Sequence, residues 1–150
     1  MQVRYFEDFK KGDKFVSAGL TITESAIVDF GLTWDPQPFH IDKEFSKDWA
    51  YGGLIASGLH TMCATLRLWL SLRVFQHCSM GSPGFDSTRF IKPVRPGDTI
   101  HVETEIVDIR PSESKKDRGV ARIRQVTRNQ NGEDVLTMET VVFLKKRVAA

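Results

Sequence analysis

Ser57-Gly58-Leu59-His60-Thr61-Met62-Cys63-Ala64-Thr65-Leu66-Arg67-Leu68-Trp69-Leu70-Ser71-Leu72-Arg73 is the stretch whose reading decides the fold. It has no proline, is rich in leucine and carries one interior charge, Arg67. Ser57 suits an N-cap, because its hydroxyl can accept an N–H that the first helical turn leaves without a partner. Leu59, Met62, Cys63, Leu66, Trp69 and Leu70 cover most of the circumference of a helix over Gly58 to Arg73. A helix that is apolar nearly all round belongs in a core. The pattern therefore predicts a long central helix with the rest of the chain wrapped around it.

Outward from this helix the period changes. Residues 76–84 read as a loop. Beyond it, Phe85 to Pro93 is a strand candidate, Arg95-Pro96-Gly97-Asp98 a turn, and Thr99 to Ile109 a strand with Ile100, Val102 and Ile106 on one face. Gly119 to Thr127 is another strand. Asn131-Gly132 is a strong hairpin signal, and Val135 to Leu144 follows with Leu136, Met138, Val142 and Leu144 on one face. Upstream, Lys11-Gly12-Asp13 is a turn and Lys14 to Ile22 a strand. Thr21 or Thr23 then caps a helix running to about Leu32, with Ala26, Ile27, Phe30 and Gly31 at helical spacing. Pro36 and Pro38 stop it, and residues 41–56 read as short helical turns and loop with a flexible point at Gly52-Gly53. Two helices and five strands in this order predict an α+β fold, an antiparallel sheet wrapped around the central helix.

The chain has 150 residues, which fits one domain over 1–150 with one core. Its 41% hydrophobic and 27% charged residues exclude collagen-like, mucin-like and wholly disordered chains. No stretch approaches 18 uncharged apolar residues, so no transmembrane helix is expected. Glu7 and Asp8 near the start argue against a secretory signal. Cys63 and Cys78 alone make no disulfide scaffold, which fits a cytoplasmic setting. The net charge is only +2, which gives no global drive toward nucleic acid or an anionic membrane. Residues 110–128 depart from that balance. They hold seven basic residues (Arg110, Lys115, Lys116, Arg118, Arg122, Arg124, Arg128) against Glu113 and Asp117, a net of +5, which leaves −3 for the rest. Aromatic residues for base stacking are missing there, so a solvated face reads better than a nucleic-acid surface. His60 with Cys63, and His77 with Cys78, do not form a metal-ligand pattern.

The chemistry points to Trp34-Asp35-Pro36-Gln37-Pro38-Phe39-His40. Each proline fixes its own φ and pushes its predecessor, Asp35 or Gln37, toward extended backbone. The result is a stiff bracket that holds an acid and an imidazole at a fixed offset, as general acid–base chemistry requires. On residue type alone, Asp35 capping an ordinary turn explains the stretch as well. Trp34, Phe39 and Trp49 fit pocket walls or core. Gly58 follows the Ser57 cap, where N–H groups lack intrahelical acceptors and meet the positive end of the helix dipole. No side chain blocks approach there, so Gly58 fits an oxyanion donor or a close-packing position.

These residues carry a resemblance. Asp35, Pro38, Phe39 and His40 fall in register with the motif of the MaoC-like dehydratase family: Asp, any residue, Asn, Pro, an aliphatic residue, His. Gly58 lies at the family's spacing after the histidine. Phe90-Ile91-Lys92-Pro93-Val94-Arg95-Pro96-Gly97-Asp98 resembles its Phe-x-x-Pro-Val-x-x-Gly-Asp strand–turn. The similarity runs from about Asp8 to Leu144. Gln37 stands where the motif has Asn, and Ser57 where many hydratases carry His. The resemblance implies a single hotdog domain, a five-stranded antiparallel sheet wrapped around a long central helix, assembled as a homodimer or higher oligomer. It also implies hydration of trans-2-enoyl-CoA to (R)-3-hydroxyacyl-CoA, or the reverse, with Asp35 and His40 activating one water. His40 would be the base toward that water, Asp35 would handle the α-carbon proton, and Gly58, with Ser57 and Gln37, would bind substrate. No cofactor is implied beyond the coenzyme A of the substrate, whose phosphates the 110–128 charge would attract. A hotdog thioesterase is the nearest rival; several carry a carboxylate on the central helix, where this chain has no Asp or Glu. A non-catalytic acyl-thioester binder is the second rival.

Overall fold

The computed structural model describes residues 3–147. A 3-10 turn, Phe6–Asp8, leads into β1 (Lys14–Val16) and β2 (Leu20–Thr21). Then come α1 (Glu24–Trp34), α2 (Pro38–Ile41), α3 (Lys43–Lys47) and α4 (Gly58–Ser71). β3 (Gly84–Phe90), β4 (Thr99–Pro111), β5 (Arg118–Arg128) and β6 (Asp134–Lys145) complete the chain. The strands form one antiparallel sheet in the order β1-β4-β5-β6-β3, with β2 also pairing to β4.

The sheet has six strands, not the five expected. The stretch read as one strand over Lys14 to Ile22 is broken at Ser17. Its hydroxyl accepts the Val102 N–H at 3.0 Å and donates to the Ala18 carbonyl at 2.8 Å, so a side chain takes over part of the ladder. The four later strands lie where the period of two places them. Ile100, Val102, Ile106, Leu136 and Leu144 are fully buried on the face that meets α4. Each contributes on the order of 1.5–3 kcal/mol by leaving water.

The central helix departs further from expectation. α4 has 14 residues and ends at Ser71, two short of Arg73, which takes φ +55°. It is not buried all round. Thr61, Ala64, Thr65, Leu68 and Trp69 meet the sheet, while Leu59, Leu66 and Leu70 are 52%, 41% and 61% exposed. A helix laid on one sheet hides a single stripe, and here that stripe is the more polar one, with two threonines beside Leu68 and Trp69. Ala64 and the threonines permit close approach, and the hydroxyls are paired: Thr65 with Thr127 of β5 at 2.7 Å, Thr61 to the Ser57 carbonyl at 3.4 Å. Gln125 donates to Thr104 at 3.2 Å, so the polar groups along this seam pair with one another. β3 lies at the edge of the sheet and is exposed along most of its length. Among the described residues, no helix is long and apolar enough to cross a membrane.

Candidate active site

The bracket read from the two prolines forms as a helix end followed by a helix start. Thr23, rather than Thr21, caps α1, accepting the Ala26 N–H at 3.2 Å. Asp35 closes α1, its N–H bonded to the Gly31 carbonyl at 2.9 Å. Gln37 then caps α2, which has Pro38 at its first position. The two helices touch at Gly31. A Cβ there would lie 2.7 Å from the Ile41 side chain and 3.2 Å from His40 Cβ. Only glycine lets α2 fold back closely enough to set His40 against Asp35.

His40 is buried, at 4% exposure. Its Nδ1 lies 2.7 Å from the Ile55 carbonyl oxygen and its Nε2 3.3 Å from Asp35 Oδ2. A carbonyl only accepts, so Nδ1 carries a proton. In the neutral ring, Nε2 then presents a lone pair to a carboxylate oxygen. Two acceptors at that distance are held together by a proton between them or by a water donating to both. The Phe39 ring meets the imidazole edge-on, with centroids 4.5 Å apart.

Asp35 is gripped from both sides. Ser57 Oγ donates to Oδ2 at 2.6 Å and Gln37 Nε2 donates to Oδ1 at 2.8 Å. The Ser57 hydroxyl holds the carboxyl below the ordinary carboxylate range, helped by the Gln37 amide and the His40 charge and opposed by partial burial. The Ser57 hydroxyl also accepts the Leu59 N–H at 3.2 Å, tying the carboxylate to the first turn of α4. Both positions that depart from the family motif therefore bond Asp35.

Asp35, Gln37, His40, Ser57 and Gly58 line one cavity of about 470 Å³, together with Phe39, Tyr51 and Phe90. All five residues singled out from sequence are thus brought together. The Gly58 N–H has no acceptor among the described residues. Phe90 lies over Gly58: a Cβ there would meet the ring at 2.6 Å. The Phe-x-x-Pro-Val segment builds the opposite wall. Val94 is 2% exposed, and its carbonyl accepts the Ala56 N–H at 2.8 Å, which fixes the segment that carries Ile55 and Ser57. Sequence reading missed Gly31, Ile55 and Phe90 as parts of the site. A glycine inside a helix is a signal for close approach, but a backbone carbonyl such as that of Ile55 has no residue signature. Trp34 and Trp49 stand outside the cavity lining, 71% and 50% exposed. The loop before β3 contributes nothing to this cavity.

The basic stretch is laced to carboxylates. Arg110 pairs with Glu113, Arg118 with Asp117, Arg122 with Asp86, Arg124 with Glu139 and Arg128 with Asp134. Its arginines are thus partly neutralised by carboxylates of β3, β6 and the stretch itself. Among the described residues, no group of three or more His, Cys, Asp or Glu could hold a metal ion.

A mainly antiparallel sheet laid on one helix, with an imidazole–carboxylate pair at that helix's N-terminus, defines an α+β protein of the hotdog class. The chain belongs to the MaoC-like domain family, whose model matches residues 8–129. It is similar to a crystal structure of a MaoC-like dehydratase from Rhodospirillum rubrum, at 37% identity over 98% of this chain and 100% of that one, with a TM-score of 0.90. It is 30% identical over 114 residues to an (R)-specific enoyl-CoA hydratase of Rhodospirillum rubrum, covering 73% of this chain and 74% of the relative. A Mycobacterium tuberculosis protein with a double hotdog fold superposes with a TM-score of 0.78 at 20% identity, over 98% of this chain and 46% of its own, a likeness of fold alone.

Proposed function

We propose that the protein adds water to trans-2-enoyl-CoA to give (R)-3-hydroxyacyl-CoA, or removes it in reverse, with Asp35 and His40 activating the water. One observation carries the reading: a histidine whose Nδ1 is spent on a backbone carbonyl aims Nε2 at an ionised carboxylate, in a cavity that also presents the Gly58 N–H. The membership of the family and the similarity to an enoyl-CoA hydratase support it.

The steps follow from the chemistry. A water bonded to Nε2 and Asp35 Oδ2 loses a proton to Nε2 as its oxygen attacks the β-carbon. Charge moves to the thioester oxygen, where the Gly58 N–H donates to it at the positive end of α4. The proton on His40 then returns to the α-carbon, which restores the neutral ring. Because one group removes and returns the proton, both additions occur on one face of the double bond. Asp35, held low by Ser57, stays ionised and stabilises the imidazolium. This places the α-carbon proton on His40, where the motif alone suggested Asp35. Gln37 acts through Asp35 and not on the substrate. The reaction uses no resident cofactor, since the coenzyme A arrives with the substrate.

The test is loss of enoyl absorbance with short and medium trans-2-enoyl-CoA. Asp35→Asn and His40→Gln should each lower kcat by about 10²–10⁴, the usual worth of a positioned acid or base. Activity that survives both substitutions overturns the assignment. Release of free thiol would instead identify a thioesterase, and binding without turnover a non-catalytic carrier. We also infer a homodimer, because the β3 edge and the outer leucines of α4 stand open together.

A further inference from the structure

The Ile55 carbonyl decides which nitrogen of His40 carries the proton, so whatever holds Ile55 bears on the chemistry. Its oxygen accepts the Nδ1 proton at 2.7 Å. Without that acceptor the neutral ring would carry its proton on Nε2 and donate it to Asp35, and the lone pair aimed at the water would be lost. Ile55 lies in a buried segment, Leu54 to Ser57. Its own N–H bonds the Phe39 carbonyl at 3.2 Å, and the Ala56 N–H bonds that of Val94.

The chain enters this segment from α3 through Trp49-Ala50-Tyr51-Gly52-Gly53. Gly52 and Gly53 take φ of +64° and +155°, backbone that glycine alone adopts freely. Two adjacent glycines leave such a link many other paths. Inside the link, the Gly52 N–H bonds the Trp49 carbonyl at 2.9 Å. From outside it, Arg95 takes hold. Its Nη2 donates to the Tyr51 carbonyl at 2.6 Å, and its Nη1 lies 3.5 Å from where a Gly53 Cβ would stand. The guanidinium thus touches the link on both sides of Gly52. Arg95 is itself well placed, between buried Val94 and Pro96. Its N–H donates to Asp98 Oδ2 at 2.8 Å, and the Asp98 N–H donates back to its carbonyl at 3.0 Å. Among the described residues its guanidinium has no carboxylate within ion-pair distance, so no ion pair competes for it.

We propose that Arg95 is a positioning residue for His40: by gripping the Tyr51 carbonyl it fixes the Gly52-Gly53 link, which keeps the Ile55 carbonyl on Nδ1 and leaves Nε2 free of its proton. A second route runs through Tyr51, whose ring lies 6.0 Å from that of Phe39, which meets the imidazole edge-on. The planar fork reaches the carbonyl and the glycine backbone at once, which a lysine ammonium does not. The effect on turnover rests on the hydratase reading, whereas the hold on the ring is a property of the fold.

The readout is the tautomer of His40, from nitrogen NMR of the full protein with labelled histidine, at alkaline pH where imidazoles are neutral. His40→Gln identifies the signal among the four histidines. The parent should show the proton on Nδ1. Arg95→Gln should move a measurable fraction of it to Nε2 and lower kcat about tenfold at unchanged KM, less than the roughly 10²-fold that an ångström of misplacement costs. Arg95→Lys, which keeps the charge and one donor, should recover part of both losses. Gly53→Ala strains the same link from within and should shift the tautomer the same way. Circular dichroism checks that each variant folds. A tautomer that Arg95→Gln and Gly53→Ala leave unchanged overturns the proposal, as does a parent ring without the proton on Nδ1. A rise in KM at constant kcat also overturns it and makes Arg95 a cation for the substrate. A parent that does not hydrate enoyl-CoA defeats the hydratase reading and with it the role in turnover, while the tautomer still decides whether Arg95 holds the ring.

Discussion

What holds Asp35 decides the chemistry at the scale of single residues. Its carboxylate is bonded by Ser57 and Gln37 and faces His40, and the Ser57 hydroxyl is the main reason its pKa is lowered. A carboxyl whose folded pKa lies below its unfolded one adds stability that is fully present above the unfolded value. That stability is lost as pH falls through the folded value. Ser57→Ala removes the main cause and raises the folded pKa. The acid limb of kcat/KM should therefore move to higher pH, and acid unfolding should begin sooner, while Ser57→Thr restores both. Near neutral pH the variant should also lose about 1 kcal/mol with its helix cap, read by denaturant titration. An unmoved acid limb would show that Ser57 does not set the Asp35 pKa. Asp35 and His40 were legible because two prolines leave a short segment few conformations. The grip of Ser57 was not, because it stands 22 residues away and its residue type announces only the cap. The resemblance implied a substrate contact for Gln37, and in the fold its amide bonds the Asp35 carboxylate at 2.8 Å.

At the scale of elements, the strands were legible and the helix misleading, for one physical reason. Alternation states which face of a strand is buried, because the polar residues mark the other face. In α4 the apolar residues outnumber the room on the sheet, so no polar stripe marks the outside. The stripe that packs is Thr61, Ala64, Thr65, Leu68 and Trp69, chosen by size and by hydroxyl partners that sequence spacing does not display. The N-terminus of the same helix yields a sharper expectation. Gly58 read equally as an oxyanion donor and as a packing glycine; the ring of Phe90 on β3 packs on it, since a Cβ would stand 2.6 Å from the ring, and its N–H still has no acceptor among the described residues. Phe90 is 57% exposed, so its ring can swing aside. Gly58→Ala should therefore cost only about 1 kcal/mol, the low end for overpacking. Phe90→Leu in the same chain should recover most of that loss, a coupling that denaturant titration of the four-member cycle measures. Additive effects of the two substitutions would mean that the ring does not rest on the glycine.

The whole molecule presents one face that a lone chain leaves unfinished. β3 is an edge strand with unpaired backbone groups along one side, a feature that proteins ordinarily cover. Beside it, Leu59, Leu66 and Leu70 on α4 and Phe85, Phe90 and Ile91 on and just after β3 are all exposed by 41–61%. The two features are contiguous, because Phe90 rests over Gly58 while Phe85, Leu66 and Leu70 wall one cavity. A contiguous apolar patch flanked by an open edge marks an association surface, and a second copy offers the same edge and the same leucines by twofold symmetry. In the proposed homodimer the outer stripe that made α4 look like a core helix is buried between copies, and the sequence pattern then describes that assembly better than one chain. Leu70 is the most exposed residue of that stripe, at 61%, so a charge there leaves the isolated fold intact. Leu70→Glu sets two like charges near the twofold contact. It should weaken self-association at least tenfold, about 1.4 kcal/mol, as read by sedimentation across a concentration series, with the far-ultraviolet spectrum unchanged. If the parent chain sediments as a monomer, or the variant associates as the parent does, the leucine stripe is not the contact, and its exposure needs a different partner.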